Sequence, residues 1–145
     1  MGAVRTIVDT AWADIQSRFG ALAAEKSLPE PKYAIGADWF SRLRYPVLFL
    51  TTDYIRQETS AILGEEVSVA LDLVLVHTAG KADVLETAMI DYTDCLLELI
   101  RDDHTFGGAC QIGEFVSSDL YAGAQDGRDL GIALLSILLR QEISI

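Results

Sequence analysis

ADVLETAMIDYTDCLLELIR, residues 82–101, is the stretch that decides how the rest of this chain must fold. Leu85, Ala88, Met89, Tyr92, Cys95, Leu96, Leu99 and Ile100 recur at intervals of three and four, the spacing of an apolar stripe along an α-helix. Asp83, Thr87, Asp91, Asp94 and Glu98 occupy the opposite side. A helix with one apolar stripe must lie on an apolar surface, and the neighbouring sequence offers β-structure: 67–77 before it, 110–121 and 130–143 after it. Ile90 and Leu97 sit seven apart on the flank of the polar face, where a lone subunit gains little from them. They are candidates for a contact between subunits.

Working back from the helix, residues 66–78 alternate cleanly. Val67, Val69, Leu71, Leu73 and Leu75 point one way, and Ser68, Ala70, Asp72, Val74 and Val76 the other, so one face is core and the second is mixed. His77, at the end of the core-facing series, is expected at the rim. An earlier strand starts after Pro46, in VLFLTT. Between the two strands, 53–65 (DYIRQETSAILGE) is a polar connection, either a long loop or a short helix. Its Ile55, Arg56, Ile62 and Leu63 join the subunit-contact candidates. Near the start of the chain the spacing predicts a helix over 3–24, with Val4, Ile7, Val8, Ala11, Trp12, Ile15, Phe19, Leu22 and Ala23 on its apolar side, closed by SLPEP. Residues 32–45 are read as a connector without assigned structure.

After the central helix, Asp102 and Asp103 stand where the negative end of the helix dipole disfavours acids, so the helix is expected to stop by Arg101. Gly107 and Gly108 then lead into a hairpin of strands 110–121 and 130–143, with turn chemistry between them. The returning strand is apolar on both sides: Ile132, Leu134 and Leu138 on one, Ala133, Leu135, Ile137 and Leu139 on the other. Either one helix covers each side, or both helices cover one side and a neighbouring subunit takes the other. The second arrangement would use Ile90, Leu97 and the 53–65 segment, and it puts Leu135 and Ile137 among the subunit-contact candidates. The expected fold is α+β: a mainly antiparallel four-stranded sheet packed with two helices, in the order α-β-β-α-β-β, as one domain over 1–145.

Charge and chemistry narrow the function. With 22 acidic and 11 basic residues the formal net charge is −11, and the basic residues form no patch, which argues against tight nucleic-acid binding. DNA could still pass such a surface without sticking. Cys95 and Cys110 lack metal-ligand spacing and are expected to stay reduced, as in a cytosolic chain. Asp102, Asp103, His104 and Cys110 come nearest to a reactive cluster, but adjacent side chains in a turn cannot all converge on one metal or one nucleophile. No catalytic, cofactor-binding or metal-binding residue is expected, and the chain is expected not to be an enzyme. The longest apolar run, 131–139, falls well short of the ~20 residues of a membrane span. No membrane association and no secretory leader are expected; MGAVRT fits a myristoylation template but reads better as the start of a helix.

The succession of these segments carries a resemblance. A leading helix, the strand YPVLFL (45–50), a polar connection, the strand EEVSVALDLVLV (65–76), the amphipathic helix, the acidic turn RDDHTFGGA (101–109) and the hairpin DGRDLGIALLSILLR (126–140) resemble the small tail-terminator and tail-completion proteins of long-tailed bacteriophages. The resemblance implies a structural virion protein that forms a ring, commonly a hexamer, at the head-proximal end of the tail tube. Such a ring ends tube polymerisation and provides the head-tail joining surface. The implied partners are further copies of the chain, the tail tube protein and the head-tail connector protein, with DNA passing through unbound. Assembly would take place in the host cytoplasm. The resemblance brings no catalytic residues with it. Three other functions compete: a neck or head-completion connector, a small-molecule-binding α+β regulatory domain, and a hydrolase using the 102–110 turn.

Overall fold

A computed structural model describes residues 2–36, 45–60, 64–79, 81–125 and 128–144. The first element, α1 (Ala3–Glu25), buries Ile7, Ala11, Trp12, Ile15, Phe19 and Ala23 of its predicted stripe, while Val4, Val8 and Leu22 pack partly buried at the margin. Its end is a closed motif: the Leu28 N–H donates to the Ala23 carbonyl and the Ser27 N–H to the Ala24 carbonyl. Ser27 takes the left-handed conformation (φ 58°) that lets the chain turn there, and Pro29 follows.

The second helix, α2 (Ala82–Asp102), buries Leu85, Met89, Tyr92, Cys95, Leu96 and Leu99, as expected. It runs one residue past its expected end, and the reason lies in α1. The Arg18 guanidinium donates to the Leu99 carbonyl (2.7 Å) and the Asp103 carbonyl (3.3 Å), placing a cation on the negative end of the helix. Arg18 is itself held by Asp14 at 2.7 Å.

Among the described residues, five strands form one mixed sheet: β1 (Lys32–Ile35), β2 (Val47–Ser60), β3 (Gly64–Ala79), β4 (Ile112–Gln125) and β5 (Arg128–Ser144), in the spatial order β1-β2-β3-β5-β4. The class is α+β with two helices, but the expected four-stranded sheet and the order α-β-β-α-β-β are corrected to five strands and α-β-β-β-α-β-β. The added strand, β1, lies within the expected 32–45 connector and pairs in parallel with β2, from Lys32↔Val47 to Ile35↔Leu50. Four residues are too few to show a period of two. The other pairings are antiparallel.

The 53–65 connection is also corrected. It is neither loop nor helix over its described part, because β2 continues through Ser60 along β3, with a bulge between Thr52 and Tyr54. Its side chains are exposed from 52 to 58, so no buried alternation marks it in the sequence. Residues 110 and 111 precede β4 rather than belonging to it.

Both helices lie on the same side of the sheet. One core joins their buried stripes to Leu48 and Leu50 of β2, the odd-numbered residues 67–75 of β3, and Ala133, Leu135, Ile137 and Leu139 of β5. Among the described residues no helix is long and apolar enough to cross a membrane.

Candidate functional site

Side chains of residues paired across a sheet share a face, so the registers of β2, β3, β5 and β4 define the face that carries no described helix row by row. Its first two rows are Val47, Val76, Ile132, Tyr121 and Phe49, Val74, Leu134, Asp119. Thr51, Asp72, Ser136 and Ser117 make a polar crossbar, where the Ser136 hydroxyl donates to the Asp72 carboxylate at 2.7 Å. Beyond it come Tyr54, Ala70, Leu138, Glu114, then Arg56, Ser68, Arg140, Ile112, then Glu58, Glu66, Glu142. The face is therefore apolar at one end and charged at the other.

At the apolar end Val47, Phe49 and Val76 are buried and form a second, smaller cluster, with Ala34, Tyr45, Val74, Leu130 and Ile132 packed at its margin. At the charged end Arg140 lies 3.9 Å from Glu66 and 3.5 Å from Glu114, tying three strands together. Six carboxylates in these rows face two guanidiniums, so the surface repels phosphate.

Among the described residues, both edges of the sheet have stretches with no strand beside them. β1 accompanies β2 only as far as Leu50, whose carbonyl accepts the Gly36 N–H, so from 51 onward that flank of β2 has no described strand beside it. β4 has no described strand on its outer flank. Ile112, Phe115, Val116, Leu120 and Tyr121 along it are each 43% to 58% exposed, and a bulge lies between Phe115 and Ser117.

The expected contact residues divide. Ile55 is half-exposed on β2, level with Val69 and so on the helix side, while Arg56 faces the other way, stacked over Tyr54 with its guanidinium 5.5 Å from the ring. Ile90 is half-exposed on α2; Leu97 is partly buried against the core. Leu135 and Ile137 are corrected: they are 0% and 1% exposed inside the chain's own core, because the odd positions of β5 face the helices. Ile62 and Leu63 lie outside the described residues. Sequence reasoning missed Tyr54 and the apolar residues of β4. The adjacent pair Phe115-Val116 in a polar setting was the available signal, obscured because the bulge resets the alternation there.

The acidic turn is built for closure. The Asp103 carboxylate accepts the Thr105 N–H (2.9 Å), the Thr105 hydroxyl (2.6 Å) and the Gly107 N–H (3.1 Å). These bonds, with the Thr105 hydroxyl the strongest cause, hold its pKa below the usual value. The Cys110 thiol is directed at the carbonyls of His104 and Thr105, and burial pushes its pKa up to about 11. Burial also raises Cys95 to about 11. Both stay thiols at neutral pH, so neither is an activated nucleophile. Among the described residues no three His, Cys, Asp or Glu side chains are placed to hold a metal ion together. His77 packs edge-on to Tyr92 (5.6 Å), its Nδ1 is buried with no hydrogen-bond partner among the described residues, and burial lowers its pKa.

No model of a known protein family matches the chain, and no curated protein matches it.

Proposed function

We propose that this chain is a ring-forming structural protein of the tail-terminator kind, working at the head-proximal end of a phage tail tube. The observation that carries this is the apolar surface left along β4: both helices cover one face of the sheet, and Ile112, Phe115, Val116, Leu120 and Tyr121 remain 43% to 58% exposed on a strand with no described neighbour on its outer flank. Copies of the chain shield these surfaces from water by associating. The carboxylate-rich end of the open face suits a channel that DNA slides through. Stopping tube growth needs no catalytic group, only a ring with different chemistry on its two sides.

Native mass spectrometry and negative-stain microscopy of the purified protein test this, with closed rings of several copies expected. Added to polymerising tail tube protein, the ring should cap tube ends and halt growth. A protein that stays monomeric at high concentration, or rings that leave tube growth unaffected, would defeat the proposal. The second outcome would move the chain to the neck, where a connector ring binds the head side instead. A hydrolase gains no support from the 102–110 turn, since Asp103 and Cys110 are engaged within it.

A further inference from the structure

We propose that β2 pairs with β2 of a second copy of this chain, the two strands running antiparallel about a two-fold axis at Gln57. The contact goes beyond the ring reading, because a two-fold joins copies in pairs, whereas a ring of like-facing copies needs a head-to-tail surface elsewhere.

β1 reaches only to Leu50, and the side chains of 52–58 are exposed on both faces, so no described element stands over or beside this stretch of β2. The opposite edge of the sheet is better protected. There the turn carrying His104 and Phe106 packs so closely on Gly113 that a Cβ would meet the His104 carbonyl, and a bulge follows Phe115. Residues 51–60 contain neither Lys nor Pro, the residues that commonly block an edge. The Pro46 and Leu50 carbonyls accept from the Lys32 and Gly36 N–H groups, so at the start of β2 the even residues face β1 and the odd ones β3. β3 therefore turns its even residues toward β2, and its Ala70, Ser68 and Glu66 take up Tyr54, Arg56 and Glu58. Past the bulge, the backbone groups of Ile55, Gln57 and Thr59 point off the sheet.

A strand paired with its own copy about a two-fold sets one residue opposite itself. Space and charge decide which. Centred on Ile55, the end of the partner strand would run up beside Leu50, the place held by Ile35 and Gly36. Centred on Arg56 or Glu58, two like charges would meet. A centre at Thr59 leaves only the strand ends paired. Centred on Gln57, the partner strand's last residue, Ser60, comes level with Tyr54, clear of β1, and Arg56 faces Glu58 on both sides of the axis. Charges on an edge normally repel a second copy; here the order of signs is complementary to its own inverse. Arg56 and Glu58 lie 3.9 Å apart along one strand, and the guanidinium stands 5.5 Å from the Tyr54 ring. Four charges then alternate in sign around the axis. The Gln57 pair and the two pairs of Ile55 with Thr59 carry about six backbone hydrogen bonds. Tyr54 and Ile55, half-exposed in a single copy, gain cover from the added strand.

Gln57→Pro tests the backbone contact on the full chain. It removes an outward N–H that no described strand uses, so the melting curve should match the parent's, while sedimentation velocity should show self-association weakened by about tenfold or more. Arg56→Glu and Glu58→Arg should each weaken it by about tenfold, and the two together, which restore opposite signs across the axis, should recover much of the loss. On mild oxidation Gln57→Cys should link the chain in pairs, because residue 57 lies opposite its own copy, whereas Thr87→Cys, exposed on α2, should not. The native Cys95 and Cys110 are buried and take no part. Assemblies that respond in this way support the strand pair, whether as dimers, which would end the ring reading, or as rings joined two by two, which would keep it. If rings form and these variants neither weaken nor link them, the strand pair is overturned and the ring reading survives. A parent protein that never associates overturns both.

Discussion

At the scale of single residues, two positions carry a cost that experiment can read. Ser27 holds the left-handed conformation that ends α1, a place where a side chain crowds the backbone and glycine does not. Ser27→Gly is expected to stabilise the fold by about 1 kcal/mol in urea titrations. His77 is the second. Burial lowers its pKa from 6.5, and its Nδ1 has no partner among the described residues, so the folded state favours the neutral ring. The unfolded chain binds the proton more readily, so stability is unaffected by His77 well above pH 6.5 and falls as the pH drops below it, until the lowered folded pKa is passed. His77→Leu should flatten the stability profile as the pH falls below 6.5. The Asp103 contribution is distinct in pH: its folded pKa lies below 3.8, so its stabilisation is present above that value and disappears only in stronger acid.

At the scale of elements, the helices were the most legible part of the chain and the strand edges the least. Twenty residues repeating one period leave no alternative for α2, and the burial of Leu85, Met89, Tyr92, Cys95, Leu96 and Leu99 follows. What the pattern could not show is that α1 supplies the cap for α2. Arg18 falls on the polar side of α1, yet it is largely buried among Asp14, the Leu99 carbonyl and the Asp103 carbonyl. Arg18→Ala should cost about 1.5–3 kcal/mol in thermal or urea unfolding, and Arg18→Lys should recover little, because an ammonium cannot reproduce the fork of donors. β1 was hidden by its brevity. The outer half of β2 was hidden because exposure on both faces removes the selection for apolar alternation that reveals a strand.

At the scale of the whole molecule, placing both helices on one face gives neighbouring residues of β5 opposite roles. Leu135 is fully buried under the helices, whereas Leu134 lies on the face without them and is only partly buried. Leu135→Asp should prevent folding, since an unpaired carboxylate in the core costs several kcal/mol. Leu134→Asp should fold to the parent's circular dichroism spectrum with a loss of about 1 kcal/mol. Equal damage from both would contradict the one-sided packing. The expected interface takes Leu135 and Ile137, which the core holds, because a strand that is apolar on both sides looks the same from either. Ile55 and Arg56 of the expected interface are exposed, on a segment that is a strand rather than a loop or helix.

The amino-acid sequence alone determined the helices, the alternation of β3, the double-sided β5 and the acidic character of the surface. Each of these is local: a period or a composition is complete within one stretch of chain. Tertiary structure decided which side the helices take, that β1 joins in parallel, where the bulges fall and which flanks stay open. Those depend on pairings between residues far apart in the chain, such as Asp72 with Ser136 and Tyr54 with Ala70. Many partners of similar polarity could have satisfied the same strand, and the choice among them is made only when the whole sheet closes over one core.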